Sequence, residues 1–225
     1  MNKIETSENL PSLDLPELTI KKYSTPMPEI TKIIFDWDDT FNPTSWLHKI
    51  ARPLSQEHRR YLSDISTLVI MIITQAKLYG DVIIITNADE GWVEDSCSIN
   101  MPFLLPHLSN ISIISAQARY SKLYKDSRQW KIAAFHEEVV KKLISPHKVN
   151  VISIGDSNFE LSALNSLKCM IPAGLHIELI TKGVKLLEKP DHLTLIKELN
   201  IINTHIKSII ELPISYNQMI TLEES

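Results

Sequence analysis

The sequence predicts a doubly wound α/β fold, a parallel sheet of about five strands with helices on both faces. Three observations carry this expectation. Short β-branched runs, each ending in small polar residues, recur along the chain. A stretch with helical periodicity follows each run. The runs are apolar throughout, as strands buried on both faces must be. Strands alternating with helices imply parallel pairing through crossover connections.

The elements are expected in the following order. Residues 1–28 carry Pro11, Pro16, Pro26 and Pro28 among Ser, Thr and Glu, the composition of an extended arm. The folded domain is expected over 29–202, with its first strand at 32–36. A helix over 55–79 follows and closes on Gly80, placed as the residue after the C-cap. Its run Leu68-Val-Ile-Met-Ile-Ile73 suggests burial on more than one side. The second, third and fourth strands are expected at 81–86, 111–114 and 149–154. Helices are expected over 130–143 and 158–167, and Pro190-Asp191 opens another over 191–199. A fifth strand is assigned to 183–187 in preference to 169–172. Residues 203–225 form a tail that packs on the domain or on a partner.

Composition excludes several functions. A net charge of −4 gives no electrostatic footprint for nucleic acid, which needs clustered Lys and Arg. Cys97 and Cys169 are the only cysteines and form no CxxC pair, so neither a disulfide framework nor a structural zinc site is expected. The first 20 residues lack the apolar core of a secretory signal. The most apolar run, 68–73, falls far short of the ~20 residues a bilayer span requires. No membrane span and a cytoplasmic location are expected.

In this fold class ligands bind beyond the carboxyl ends of the strands. Three polar clusters stand there: Asp36-Trp37-Asp38-Asp39-Thr40, Thr86-Asn87, and Gly155-Asp156-Ser157-Asn158 with Glu160 behind it. Clustered carboxylates repel one another and resist desolvation unless a cation sits among them. Hard oxygen donors without nearby cysteine point to Mg2+, with Asp36 and Asp156 as the natural direct ligands.

These clusters resemble the signatures of the haloacid dehalogenase superfamily. Ile-Ile-Phe-Asp36-Trp-Asp38-Asp-Thr40 looks like the first, a hydrophobic strand ending in DxDx(T/V), and Ile-Ile-Ile-Thr86 resembles the second. Lys131 sits where the third places a lysine, and Ile-Gly155-Asp156-Ser-Asn-Phe-Glu160 resembles the fourth, GDxxx(D/E). Order and spacing agree from residue 32 to about 165. The resemblance implies a phosphatase in which Asp36 is the nucleophile and forms an aspartyl-phosphate. Asp38 would protonate the leaving oxygen and then activate water. Thr86, Asn87 and Lys131 would bind the phosphoryl group, with Lys131 also neutralising its charge. Asp36, Asp38 and Asp156 would hold Mg2+, with Glu160 or Asn158 in support. Glu160 stands where many relatives carry Asp. Dehalogenases lack the second aspartate, so Asp38 favours phosphoryl transfer over carbon–halogen cleavage.

The segments between signatures are too short for a large cap domain. A site without a lid excludes water poorly but admits a phosphate displayed on a larger surface, so the expected partner is a phosphorylated substrate, a phosphoprotein above all. The alternative is a catalytically silent interaction module or assembly subunit, docking through the Pro-rich arm and the apolar stretch 209–220. Asp89, Glu90 and Trp92 read either as a pocket border or as an ordinary helix start. Trp37 reads as packing beside the sheet or touching substrate. His48, His58 and His136 stand singly, with no ligand spacing, and Arg59-Arg60 and Lys141-Lys142 read as solvated helix faces.

Overall fold

The computed structural model describes residues 30–141, 148–172 and 177–222; the expected arm at 1–28 lies outside them. Six strands form one parallel sheet: β1 (Ile30–Phe35), β2 (Asp81–Thr86), β3 (Ser112–Ser115), β4 (Lys148–Gly155), β5 (Glu178–Lys185) and β6 (Tyr216–Met219). Their order is β3-β2-β1-β4-β5-β6, and every neighbouring pair is parallel. The chain moves outward from β1 through β2 to β3, then returns to the other side of β1 for β4. The crevice at this reversal, between the carboxyl ends of β1 and β4, is where such sheets bind ligands.

Alternation along the strands builds two cores. Ile33 and Phe35 of β1, Val82 and Ile84 of β2, and Ile152 and Ile154 of β4 face one side. There they meet α2 (Gln56–Lys77), α3 (Trp92–Asn100) and α8 (His192–Glu211). Ile34, Ile83, Ile85, Val149 and Val151 face the other, under α5 (Ala116–Tyr120), α6 (Ser127–Phe135) and α7 (Asn158–Met170). Two short helices, α1 (Thr44–Leu47) and α4 (Leu105–Leu108), complete the fold. No helix among the described residues is long and apolar enough to cross a membrane.

Several details differ from the sequence reading. The sheet has a sixth strand, because 216–219 pair with β5. The expected boundary at 202 falls inside α8, and the apolar stretch 209–220 serves this chain's own core: Ile209, Ile210 and Ile220 are buried there. The fifth strand begins five residues earlier than expected, at Glu178, while 169 and 170 end α7. The long helix α2 is not buried all round, since Met71 is 44 % exposed; its stripe from Leu62 through Ile65, Val69, Ile72 and Ala76 faces inward. Gly80 does not cap α2, whose C-cap is Leu78. Its lack of a side chain answers a different need, because a Cβ there would run into the Thr31 backbone oxygen. The helix over 130–143 begins earlier, at Ser127, and continues from His136 to Val140 as a π-helical turn.

One buried cation in the sheet carries a measurable consequence. Lys182 of β5 is fully buried and donates to the Ile210 carbonyl at 2.6 Å, which also accepts from Asn150 Nδ2 at 2.9 Å. Burial lowers its ammonium from 10.5 to about 7. Between those values the unfolded chain holds a proton that the folded chain has released, so this residue makes stability rise with pH from about 7 to about 10. Lys182→Met is expected to flatten that rise, read as urea midpoints at pH 7 and pH 10. An unchanged pH slope would show that the amine is solvated in the folded state.

Candidate active site

The crevice at the reversal is an open cleft of about 330 Å³ lined by Asp36, Asp38, Asp39, Thr86, Asn87, Lys131, Asp156, Ser157 and Phe159, with Ala88 at its edge. It gathers the sequence clusters because β1, β2 and β4 are adjacent and parallel, so their carboxyl ends share one edge. Asp36 directly follows β1, and its backbone N–H donates to the Ile154 carbonyl of β4 at 3.0 Å. Asp156 follows β4 by one residue.

Lys131 organises the floor. The Asp126 carboxylate caps α6 by accepting from Arg128 N at 3.0 Å, and Lys131 lies one turn inside the helix, 2 % exposed. Its Nζ lies 2.8 Å from Asp36 Oδ1 and donates to Glu160 Oε1. The other Glu160 oxygen accepts from Ser157 N at 3.0 Å and from Ser157 Oγ at 2.6 Å, completing a capping box at the start of α7. Glu160 folds back tightly enough that a Cβ on Gly155 would lie 2.5 Å from its Cγ. This explains the glycine before Asp156.

One acid oxygen each from Asp36, Asp156 and Glu160 can be chosen so that all three lie within 4.8 Å of one another. Burial raises Asp36 to about 7 despite the pull of Lys131, with Glu160 adding to the rise. Burial also lifts Asp156 to about 8, followed by repulsion from Asp36 and Glu160. Burial pushes Glu160 upward as well, but the Lys131 charge and the Lys131 and Ser157 hydrogen bonds outweigh it and hold this carboxyl below its ordinary value. For Lys131, burial alone would lower the ammonium; Asp36 and Glu160 overcome that and raise it. Lys131 thus pairs with Asp36 and Glu160, which leaves the Asp156 carboxylate for a further cation. The donors are all hard oxygens, and the nearest cysteine chemistry is absent: Cys97 is buried and Cys169 exposed, both free. The residues present thus fit a small divalent ion.

Glu160, expected in support of the metal, approaches Asp36 and Asp156 directly, and Asp38 lines the same cleft. Asp38 has donors of its own. Asp38 Oδ1 accepts from Thr44 Oγ1 at 2.5 Å and from the Trp92 indole at 2.9 Å, and Oδ2 accepts from Thr86 Oγ1 at 3.4 Å. Thr86 itself is buried and accepts from Ala88 N at 3.0 Å. Asn87 lines the cleft, yet its amide N–H donates to the Ser127 carbonyl at 3.3 Å, tying the loop after β2 to the helix that carries Lys131.

Other singled-out residues resolve into structural parts. Trp37 is fully buried, so it packs beside the sheet, and its indole donates to Ser96 Oγ at 2.8 Å. Asp39 adopts the left-handed conformation (φ 55°) and accepts from Ser45 N at 2.8 Å, a conformation Asp tolerates. Trp92 opens α3, and its indole donates to Asp38. Asp89 and Glu90 line a smaller hollow of about 160 Å³ next to the cleft, which Thr86 also lines. His58 stacks edge-on against Trp46, with ring centroids 5.5 Å apart. Arg59 and Arg60 are exposed. Sequence reading missed Thr44 altogether, because a threonine four residues beyond a signature carries no local pattern.

Removing the Lys131 charge leaves Asp36 and Glu160 buried without their shared partner. Lys131→Met is expected to lower unfolding stability by about 3–5 kcal/mol, measured by urea denaturation at neutral pH. A loss no larger than that of a surface lysine would mean the buried contacts do not form.

Comparison of the chain with family models, with curated proteins and with solved structures gives no match.

Proposed function

We propose that the chain is a Mg2+-dependent phosphohydrolase that works through an aspartyl-phosphate on Asp36. The observation that supports this reading is the meeting of Asp36, Asp38, Thr86, Lys131 and Asp156 in one open cleft at the reversal of strand order. Their order and spacing are those of the haloacid dehalogenase signatures, and the acid cluster fits a divalent cation.

In this reading an Asp36 carboxylate oxygen attacks phosphorus, and the bond from phosphorus to the ester oxygen breaks. Asp38 gives its proton to that departing oxygen. Water then attacks the acyl phosphate while Asp38 takes the water proton, releasing inorganic phosphate and restoring Asp36. Lys131, fixed between Asp36 and Glu160, offsets the negative charge that gathers on the phosphoryl oxygens. Thr86 Oγ1 exchanges its long bond to Asp38 for a phosphoryl oxygen. Asp36 and Asp156 would hold Mg2+, which would add to the neutralisation of phosphoryl charge.

The substrate is read as a phosphate carried on a macromolecule, a phosphoprotein above all. The support is that, among the described residues, only the short α1 and the turns around it separate Thr40 from α2. Residues 115–129 hold α5 and the start of α6, and α5 packs on α6. Among the described residues, nothing between the strands forms a separate lid. The silent-module alternative gains no support from 209–220, which are spent on this chain's own sheet and core.

Turnover of p-nitrophenyl phosphate is expected to require Mg2+ and to fall by about 10³-fold or more in Asp36→Asn. Equal turnover by parent and variant would remove Asp36 as nucleophile. Phosphopeptides are expected to outperform small sugar phosphates; the reverse preference would overturn the open-site reading.

A further inference from the structure

We propose that Trp92, together with Thr44, is a positioning residue that fixes Asp38 so that only its Oδ2 exchanges a proton with the reacting oxygens. This rests on the phosphohydrolase reading of the cleft and adds a function for two residues outside its signatures.

The geometry is specific about which oxygen is held. The Trp92 indole donates to Asp38 Oδ1 at 2.9 Å. An indole N–H is only a donor, so Oδ1 must accept there. Thr44 Oγ1 approaches the same oxygen at 2.5 Å. That hydroxyl accepts from Asn42 Nδ2 at 2.7 Å, and of its two acceptors Asp38 Oδ1 is much nearer than the Asn42 carbonyl at 3.4 Å, so its proton goes to Asp38. Two donors on Oδ1 leave no place for a carboxyl proton. The proton that Asp38 gives or takes belongs on Oδ2. Among the described residues that oxygen has only Thr86 at 3.4 Å, a bond at the weak end of the range, and Thr86 lines the same cleft.

Trp92 is itself anchored to the segment after β1 that carries Asp38. Its carbonyl accepts from Ser96 Oγ at 2.6 Å, and Ser96 Oγ accepts from the Trp37 indole at 2.8 Å. The neighbour of Asp38 in the chain therefore holds the first turn of α3, and α3 returns a donor to Asp38. This closed circuit fixes the carboxylate plane before substrate arrives, so little reorganisation remains for the proton-transfer step.

A tryptophan that merely packs would affect every substrate alike, whereas one that aligns a general acid matters most when the leaving oxygen needs a proton. The test compares kcat/KM for phenyl phosphate and p-nitrophenyl phosphate, two esters of similar shape, in the full-length parent, Trp92→Phe, Trp92→His and Thr44→Val. Trp92→Phe is expected to lose about tenfold more on phenyl phosphate than on p-nitrophenyl phosphate, with the loss in kcat rather than KM. Trp92→His, which keeps a ring N–H, is expected to recover part of it. Thr44→Val removes the second donor and is expected to show the same selectivity, which keeps the idea testable should Trp92→Phe not fold. Equal losses on both esters, or no recovery in Trp92→His, would overturn the inference while leaving the phosphohydrolase reading in place. A parent without Mg2+-dependent turnover would overturn both.

Discussion

Three carboxylates around one buried ammonium set the terms for this site. Asp36 directly follows β1, Asp156 lies in the turn after β4, Glu160 in the first turn of α7, and Lys131 in α6. None of these charges would be stable alone at such burial, because desolvation penalises each by several kcal/mol. Lys131 makes the arrangement tolerable for Asp36 and Glu160. Asp156 receives less help, and its carboxyl is pushed up to about 8, by burial first and then by its acidic neighbours. The fold thus holds a charge imbalance at the one place where its strand order reverses.

Glu160 and Asp38 divide the work that their shared charge might suggest they duplicate. Glu160 spends one oxygen on Lys131 and the other on the Ser157 capping box, so it stabilises the floor and the start of α7 together. Asp38 is drawn away from the trio by Thr44 and Trp92. Its carboxylate is thus held by neutral donors, whereas Asp36 pairs with the Lys131 ammonium. The longer Glu side chain at 160 is what lets one residue reach both Lys131 and its own helix cap.

Much of this was legible in the sequence. Apolar runs ending in Asp36, Thr86 and Gly155 announced both the parallel sheet and the edge where its polar ends meet, since burial on two faces leaves no alternation to misread. What escaped was set by tertiary contact. Strand β6 is short and only half-buried, Tyr216-Asn-Gln-Met219, and without β5 beside it carries no strand signal. Gly80 was read as a cap because helices often end that way, while close approach to Thr31 is what excludes a side chain. Thr44 and Trp92, the donors that hold Asp38, lie 6 and 54 residues away, and no local pattern reports such partners.

The central claim is that Asp36 and Asp156, from distant parts of the chain, share one cation that Asp38 does not touch through its carboxylate. Isothermal titration with Mg2+ measures this directly on the parent and on Asp36→Asn, Asp156→Asn and Asp38→Asn. The predicted result is one site in the parent, lost in the first two variants and kept in the third. Undiminished binding in Asp36→Asn and Asp156→Asn, or binding abolished by Asp38→Asn alone, would contradict it.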